Sequence, residues 1–269
     1  MGWKMAAWGR VEKKVGRREF LKDREQRYLE RRSELDESLE EVFDRQTLMT
    51  LYEMLNAKKL KEVRGVVSSG KESRVYHGLG WNGEEFAVKI YLVSSAEFRR
   101  NRLQYVVNDP RFKKIPREFR RFVYLWSERE YANLKEAYGA GVPVPQPFHQ
   151  SGNILVMEFL GENGVRLPLL HEEKFEKDEL ENIYIQIVDV LGRMYREAGL
   201  VHGDLSQYNI MVGRGLKVYL IDLAQAVRRS HPMSETFLEH GVKILCSFFE
   251  KSGLTVDWVS TLDRVRRGG

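Results

Sequence analysis

Residues 201–210 read VHGDLSQYNI, and residues 218–222 read VYLID. Asp204 stands five positions before Asn209 in a polar loop, and Asp222 closes a short apolar run that reads as a strand. Phosphoryl transfer from a nucleotide asks for one carboxylate near the acceptor, and for a carboxylate plus an amide oxygen to hold Mg²⁺ against the phosphates. These three residues supply that set. Singly, Asp204 and Asp222 read equally well as turn residues that cap their loops. What lies upstream decides between the two.

Lys89 sits within FAVKIY, residues 86–91, whose apolar neighbours bury its stem in a strand, and a buried ammonium needs an anion. A phosphate and a helix glutamate both serve. In SEREYANL, residues 127–134, Glu130 is the candidate and Glu128 its rival. Ahead of them SSGKESRVY, residues 68–76, places small residues between two strands, so that backbone N–H groups can lie against phosphate oxygens with Lys71 nearby. An ordinary tight hairpin is the plainer reading of that segment alone. Gly78, Gly80 and Gly83 spell G-x-G-x-x-G, but strand-forming residues follow where a dinucleotide fingerprint opens a helix. Residues 65–71 spell G-x-x-x-x-G-K, yet Glu72 stands where a P-loop needs a hydroxyl. In chain order, a Gly-rich hairpin, a strand Lys, a helix Glu, D-x-x-x-x-N and a strand-end Asp reproduce the parts of a kinase.

The rest of the chain fits that frame. Its 269 residues make one large domain or two small ones at about 100–200 residues each. Forty-four Lys plus Arg against 39 Asp plus Glu leave +5, too mild an excess for a histone-like chain, so any nucleic-acid contact must come from local clusters. Residues 1–45 are dense in charge and read as an extension. Leu48, Leu51, Tyr52 and Leu55 recur at helical spacing and start the core. Three antiparallel strands follow, with Asn82 and Gly83 supplying a type I′ turn. Residues 94–121 show no clean period. Tyr124, Tyr131, Leu134 and Tyr138 mark one face of a helix ending near Gly139 or Gly141. VPVPQP, residues 142–147, bars a helix, and NILVMEFLG, residues 153–161, reads as a buried strand and connector. Leu180, Ile183, Ile187, Val190, Leu191 and Met194 form a strong helical stripe, and helix returns from Ser234. The expectation is an α+β, bilobal, protein-kinase-like fold: an N-lobe of antiparallel sheet plus helix over 46–160, and a mainly helical C-lobe over 161–269.

These residues resemble the RIO family of atypical protein kinases, more closely its subgroup without an N-terminal winged helix, over most of residues 46–252. SSGKESRVY is similar to that family's nucleotide loop, FAVKIY to its lysine strand, VPVPQP and VMEFLG to its pre-hinge and hinge, VHGDLSQYNI to its catalytic loop, and IDLAQAV with SHPM to its metal loop. The resemblance implies ATP with Mg²⁺, or Mn²⁺, as cofactors and an autophosphorylating serine/threonine kinase or ATPase of small ribosomal subunit maturation. By position it implies Asp204 as catalytic base, Asn209 and Asp222 as metal ligands, and Asp222 as an acceptor of the phosphoryl group. It implies nucleotide contacts from Ser69, Gly70, Lys71, Glu72, Ser73 and Lys89, with Glu130 as the partner of Lys89. Glu158 and Leu160 would meet adenine through their backbone groups. Leu223 and Ala224 follow Asp222 where ordinary protein kinases have Phe-Gly, and SHPM runs almost directly into helix, so no activation loop is expected. The chain departs from the RIO pattern at Leu238-Glu239-His240-Gly241, where the family carries L-x-x-D and an acidic side chain to brace the catalytic loop.

Arg99, Arg100, Arg102, Arg111, Lys113, Lys114, Arg117, Arg120 and Arg121, with Tyr105 and several Phe between them, could grip RNA by phosphate neutralisation and stacking; a mobile solvated loop beside the cleft is the equal alternative. The resemblance makes a pre-ribosomal small-subunit particle, with its rRNA, the expected partner. Cys246, the one cysteine, reads as core, His202 as a residue that orients backbone, and the five Trp as core or hinge packing. No apolar stretch long enough for a membrane span and no signal peptide are visible, which points to the cytoplasm. The H-G-D triplet also leaves open a small-molecule phosphotransferase of aminoglycoside type, and Gly241 a nucleotide-switched assembly factor with little transfer activity.

Overall fold

The computed structural model describes residues 43–93 and 96–268, and the extension expected over residues 1–45 lies almost wholly outside them. The chain divides into two units, Met1–Leu48 and Met49–Gly269. Helix α1 (Arg45–Asn56) is capped by Asp44, whose carboxylate accepts from the N–H groups of Gln46 and Thr47.

Strands β1 (Glu62–Ser69), β2 (Ser73–Leu79) and β3 (Glu85–Tyr91) form an antiparallel meander. Helices α2 (Ala96–Val106) and α3 (Phe119–Gly139) follow, then β4 (Pro147–Ser151) and β5 (Ile154–Glu158). The sheet runs β1-β2-β3-β5-β4, so β3 lies at its centre. A central strand covered on both faces has no solvent side, which is why Phe86 to Tyr91 are buried without alternation, Lys89 among them. Between β2 and β3 the expected type I′ turn does not form. The loop is longer, closed by the Gly80 N–H on Glu84 O at 2.8 Å, and of the central pair only Gly83 is left-handed, at φ 87°. The Glu84 carboxylate takes the main-chain and side-chain N–H groups of Asn82, each at 2.9 Å, and so sets the loop itself.

The connector folds as a small hairpin, β6 (Gly161–Glu162) with β7 (Val165–Arg166). Helix α4 (Lys177–Arg196) opens with a capping box between Glu176 and Glu179, and the whole predicted stripe from Leu180 to Met194 is buried. The short strands β8 (Leu200–Val201), β9 (Ile210–Val212), β10 (Val218–Leu220) and β11 (Val227–Arg228) pair as β8 with β11 and β9 with β10. They bring the two loops that carry Asp204 and Asp222 side by side. Helices α5 (Ser234–Lys251) and α6 (Trp258–Arg267) close the C-lobe core, in which Ile183, Ile187 and Leu191 of α4 join Val242, Leu245 and Phe249 of α5. Only residues 229–233 separate β11 from α5, so the expected lack of an activation loop holds.

Three further readings need correction. Residues 96–106, where the sequence shows no clean period, are helical, because α2 is held by individual contacts and not by an apolar stripe. One such contact is His231, whose Nε2 lies 3.1 Å from Gln104 O and 3.0 Å from Val107 O. On α3 the tyrosines do not mark the buried face: Tyr138 is exposed, and the face turned inward carries Phe122, Trp126 and Leu134 together with Arg129, Glu130 and Asn133. Among the described tryptophans only Trp126 is core; Trp81 is 54% exposed and Trp258 lies at the surface. Cys246 is buried as expected, with its Sγ 3.5 Å from Thr261 Oγ1.

Candidate active site

Lys89 is the centre of the arrangement. Its Nζ donates to Glu130 Oε1 on α3 at 2.8 Å and to Asp222 Oδ1 after β10 at 3.0 Å, joining residues 41 and 133 positions away. Burial disfavours the ammonium, but the Asp222 and Glu130 charges outweigh it and raise the Lys89 pKa. Glu130 is wholly buried, and burial lifts its carboxyl above the usual range against the pull of Lys89. The Tyr91 hydroxyl donates to its second oxygen. The rival Glu128 is exposed. Asp222 is 46% exposed; partial burial pushes its carboxyl up, and the Lys89 ammonium more than offsets that and holds it down. Its backbone is left-handed, at φ 58° and ψ 65°, a conformation that costs a non-glycine residue about 1–2 kcal/mol.

The second loop presents Asp204. Asn209 Nδ2 donates to Asp204 O at 2.7 Å, which fixes the carboxamide and leaves Asn209 Oδ1 as an acceptor. Gln225 Nε2 donates to Asp204 Oδ2 at 2.9 Å, a contact that no sequence motif announces. Burial raises the Asp204 pKa, and the nearby Asp222 charge adds to the rise. His202 is buried, which lowers its pKa and keeps the ring neutral; Nε2 lies 3.0 Å from Ile221 O, tying the two loops together. That is the backbone-orienting part read from the sequence. At Gly241, where the acidic brace is missing, an added Cβ would stand 2.9 Å from Leu205 Cβ, so α5 packs directly on the catalytic loop.

The turn from Ser69 to Ser73 is closed by the Gly70 N–H on Ser73 O at 2.9 Å, with Gly70 and Lys71 exposed. The Glu72 carboxylate pairs with Arg102 of α2. On the connector, Glu158 uses its N–H on Gln146 O, and Leu160 uses its C=O on the Leu167 N–H, both at 2.8 Å. The Glu158 carbonyl and the Leu160 N–H are thereby the groups these two residues can offer an adenine edge. A cavity of about 600 Å³ borders the connector, lined by Glu158, Leu160, Arg166, Arg214 and Tyr219, and it does not include Lys89, Asp204 or Asp222.

The donor set suits Mg²⁺. Among the described residues no three His, Cys, Asp or Glu side chains form a metal cage. A hard ion that keeps waters and substrate phosphates as ligands needs only one or two protein oxygens, and Asp222 and Asn209 Oδ1 are the ones that could hold it.

The fold and the placing of these groups define the protein-kinase class of structures. The Rio2 kinase–ADP/Mg²⁺–phosphoaspartate complex from Chaetomium thermophilum matches with a TM-score of 0.62 over 82% of this chain and 66% of that one, at 22% identity, a likeness of fold. The family model described as the RIO domain matches residues 74–261, and the chain belongs to the RIO family. It is 37% identical to the RIO-type serine/threonine-protein kinase Rio1 of Haloferax volcanii, covering 80% of this chain and 73% of that one. It is also 37% identical to serine/threonine-protein kinase RIO1 of Chaetomium thermophilum, covering 80% of this chain but only 44% of that longer protein.

Proposed function

We propose that this chain is an ATP- and Mg²⁺-dependent serine/threonine kinase and ATPase that phosphorylates itself. The observation that carries the reading is Lys89, bound at once to Glu130 and Asp222 from three separate elements. Lys89 holds the phosphates and Glu130 holds Lys89; the turn over Ser69, Gly70, Lys71, Glu72 and Ser73 covers the phosphates, and Glu158 and Leu160 take adenine. Asn209 and Asp222 hold the ion. Mg²⁺, when bound, neutralises charge on the phosphate oxygens.

Asp204 accepts the proton of a serine hydroxyl as its oxygen attacks the γ-phosphorus; the bond from that phosphorus to the bridging oxygen breaks, and ADP leaves. Alternatively an Asp222 carboxylate oxygen attacks, giving an acyl phosphate and ADP, and water later releases inorganic phosphate. The phosphoaspartate of the Chaetomium Rio2 complex supports this second route. The lobes are assigned as 46–160 and 161–269.

The partner proposed is a pre-ribosomal small-subunit particle. Arg102 and Arg111 are engaged in ion pairs within the fold, and Arg121 pairs with Glu118, while Arg100, Lys113, Lys114 and Arg117 are exposed and supply the basic surface for rRNA. The location proposed is the cytoplasm; among the described residues no helix is long and apolar enough to cross a membrane.

Incubation with γ-labelled ATP and Mg²⁺ tests the reading. Label should enter the chain as acid-stable phosphoserine or as a hydroxylamine-labile acyl phosphate, the latter lost in Asp222→Asn. Absence of both, with no Mg²⁺-dependent nucleotide binding by calorimetry, would overturn it.

A further inference from the structure

Helix α3 does more than bring Glu130 to Lys89. Arg129 and Asn133 lie four residues apart, hence on one face, and both are fully buried. Arg129 Nη1 donates to Ala224 O, and Nη2 to Ala226 O at 2.5 Å. Asn133 Nδ2 donates to Leu223 O at 2.8 Å and to Ala226 O at 3.0 Å. The carbonyls they take belong to the tight turn directly after Asp222, itself closed by the Ala226 N–H on Leu223 O at 3.1 Å. Carbonyls buried in so short a turn need outside donors, and a left-handed Asp222 persists only where its surroundings over-determine it.

The donors are themselves fixed. Asn133 Oδ1 accepts from Arg111 Nη2 at 2.8 Å, which sets the orientation of the carboxamide. Arg129 Nε stands 3.5 Å from Asp109 Oδ2, and Asp109 is gripped by Arg111 through two further bonds of 2.9 and 2.7 Å. Burial pulls the Arg129 pKa down to about 10, with Asp109 opposing, so the guanidinium stays charged at neutral pH.

We infer that Arg129 and Asn133 are positioning residues that lock the turn after Asp222 onto the helix carrying Glu130, so that both carboxylates meet Lys89 and the metal–nucleotide complex as one unit. The catalytic part of this inference rests on the kinase reading; the lock itself does not.

Arg129→Met leaves Asp109 paired with Arg111, and Asn133→Leu removes three bonds, two to the turn and one from Arg111, which stays paired with Asp109. Hydrogen exchange of the nucleotide-free chain should accelerate at least tenfold at residues 224–227 in either variant. The Mg²⁺ concentration that half-saturates ADP binding should rise at least tenfold, with Arg129→Lys recovering part of the loss. Should Arg129→Met fail to fold, Asn133→Leu carries the test. Unchanged exchange at 224–227 would overturn the inference, and so would faster exchange with an unchanged Mg²⁺ requirement, since the contacts would then be structural only. A parent chain that binds no Mg²⁺–nucleotide, with variants that still loosen the turn, would count against the kinase reading and in favour of the lock.

Discussion

A Cβ added to Gly203 would stand 2.2 Å from the carbonyl oxygen of Gln225. The loop carrying Asp204 and the turn after Asp222 therefore touch backbone to backbone at this point, and Gly203 adopts φ 78° to allow it. The H-G-D triplet is thus a packing requirement of this site. Gly203→Ala should cost about 1–2 kcal/mol from the left-handed backbone alone, and more from the clash. Thermal unfolding should show the loss, and labelling from ATP should fall at least tenfold as the turn is pushed off Asp204.

Lys89→Met removes the cation between two carboxylates. Breaking a buried pair costs about 3–5 kcal/mol, because the partner left behind has no compensation. The pH dependence has a definite sign. Burial already holds Glu130 above its ordinary range, and loss of the ammonium raises it further. A carboxyl whose folded pKa exceeds its unfolded one binds more protons when folded, so stability falls as pH rises between the two values. The deficit of Lys89→Met should deepen as pH rises above the ordinary carboxylate range, measured by urea unfolding against the parent chain. A deficit that stays flat with pH would contradict this account.

What is legible in the sequence, and what is hidden, has a physical pattern. Lys89 is legible because an ammonium in an apolar strand needs a partner, and the Leu180 to Met194 stripe because helical period survives in a helix buried on one side. The inner face of α3 is hidden, since Arg129 and Asn133 are buried by carbonyls some 90 positions away, which no local pattern records. Gln225 is hidden for the same reason. The turn at Asn82 departs from its motif because Glu84 overrides the preference of the Asn-Gly pair.

Gln225→Leu probes the proposed base, Asp204. The hydrogen bond from Gln225 Nε2 favours the charged form of Asp204, whose pKa burial has already raised. A base must be deprotonated to act, so the rate falls as pH drops through its pKa. Without the Gln225 donor that pKa rises further, and the acid limb of the rate profile should move to higher pH. Initial rates of phosphate transfer over roughly pH 4–7 measure it. A limb that stays in place would show that Asp204 does not set it.

Gly241 offers a test in which two effects oppose each other. In an ordinary helix interior, Gly→Ala gains about 1 kcal/mol from propensity. Here the new methyl would meet Leu205 Cβ at 2.9 Å, and Cβ atoms are fixed by the backbone, so no rotamer change relieves the contact. Overpacking of this kind costs about 1–3 kcal/mol, which exceeds the gain. Gly241→Ala should therefore lower the melting temperature, and Gly241→Asp should lower it more, because its carboxylate enters a site closed by Leu205. Leu205→Gly removes that Cβ and opens the space, so in the Leu205→Gly background Gly241→Ala should cost less than it does alone. Equal costs in both backgrounds would show that Leu205 is not what excludes a side chain at position 241.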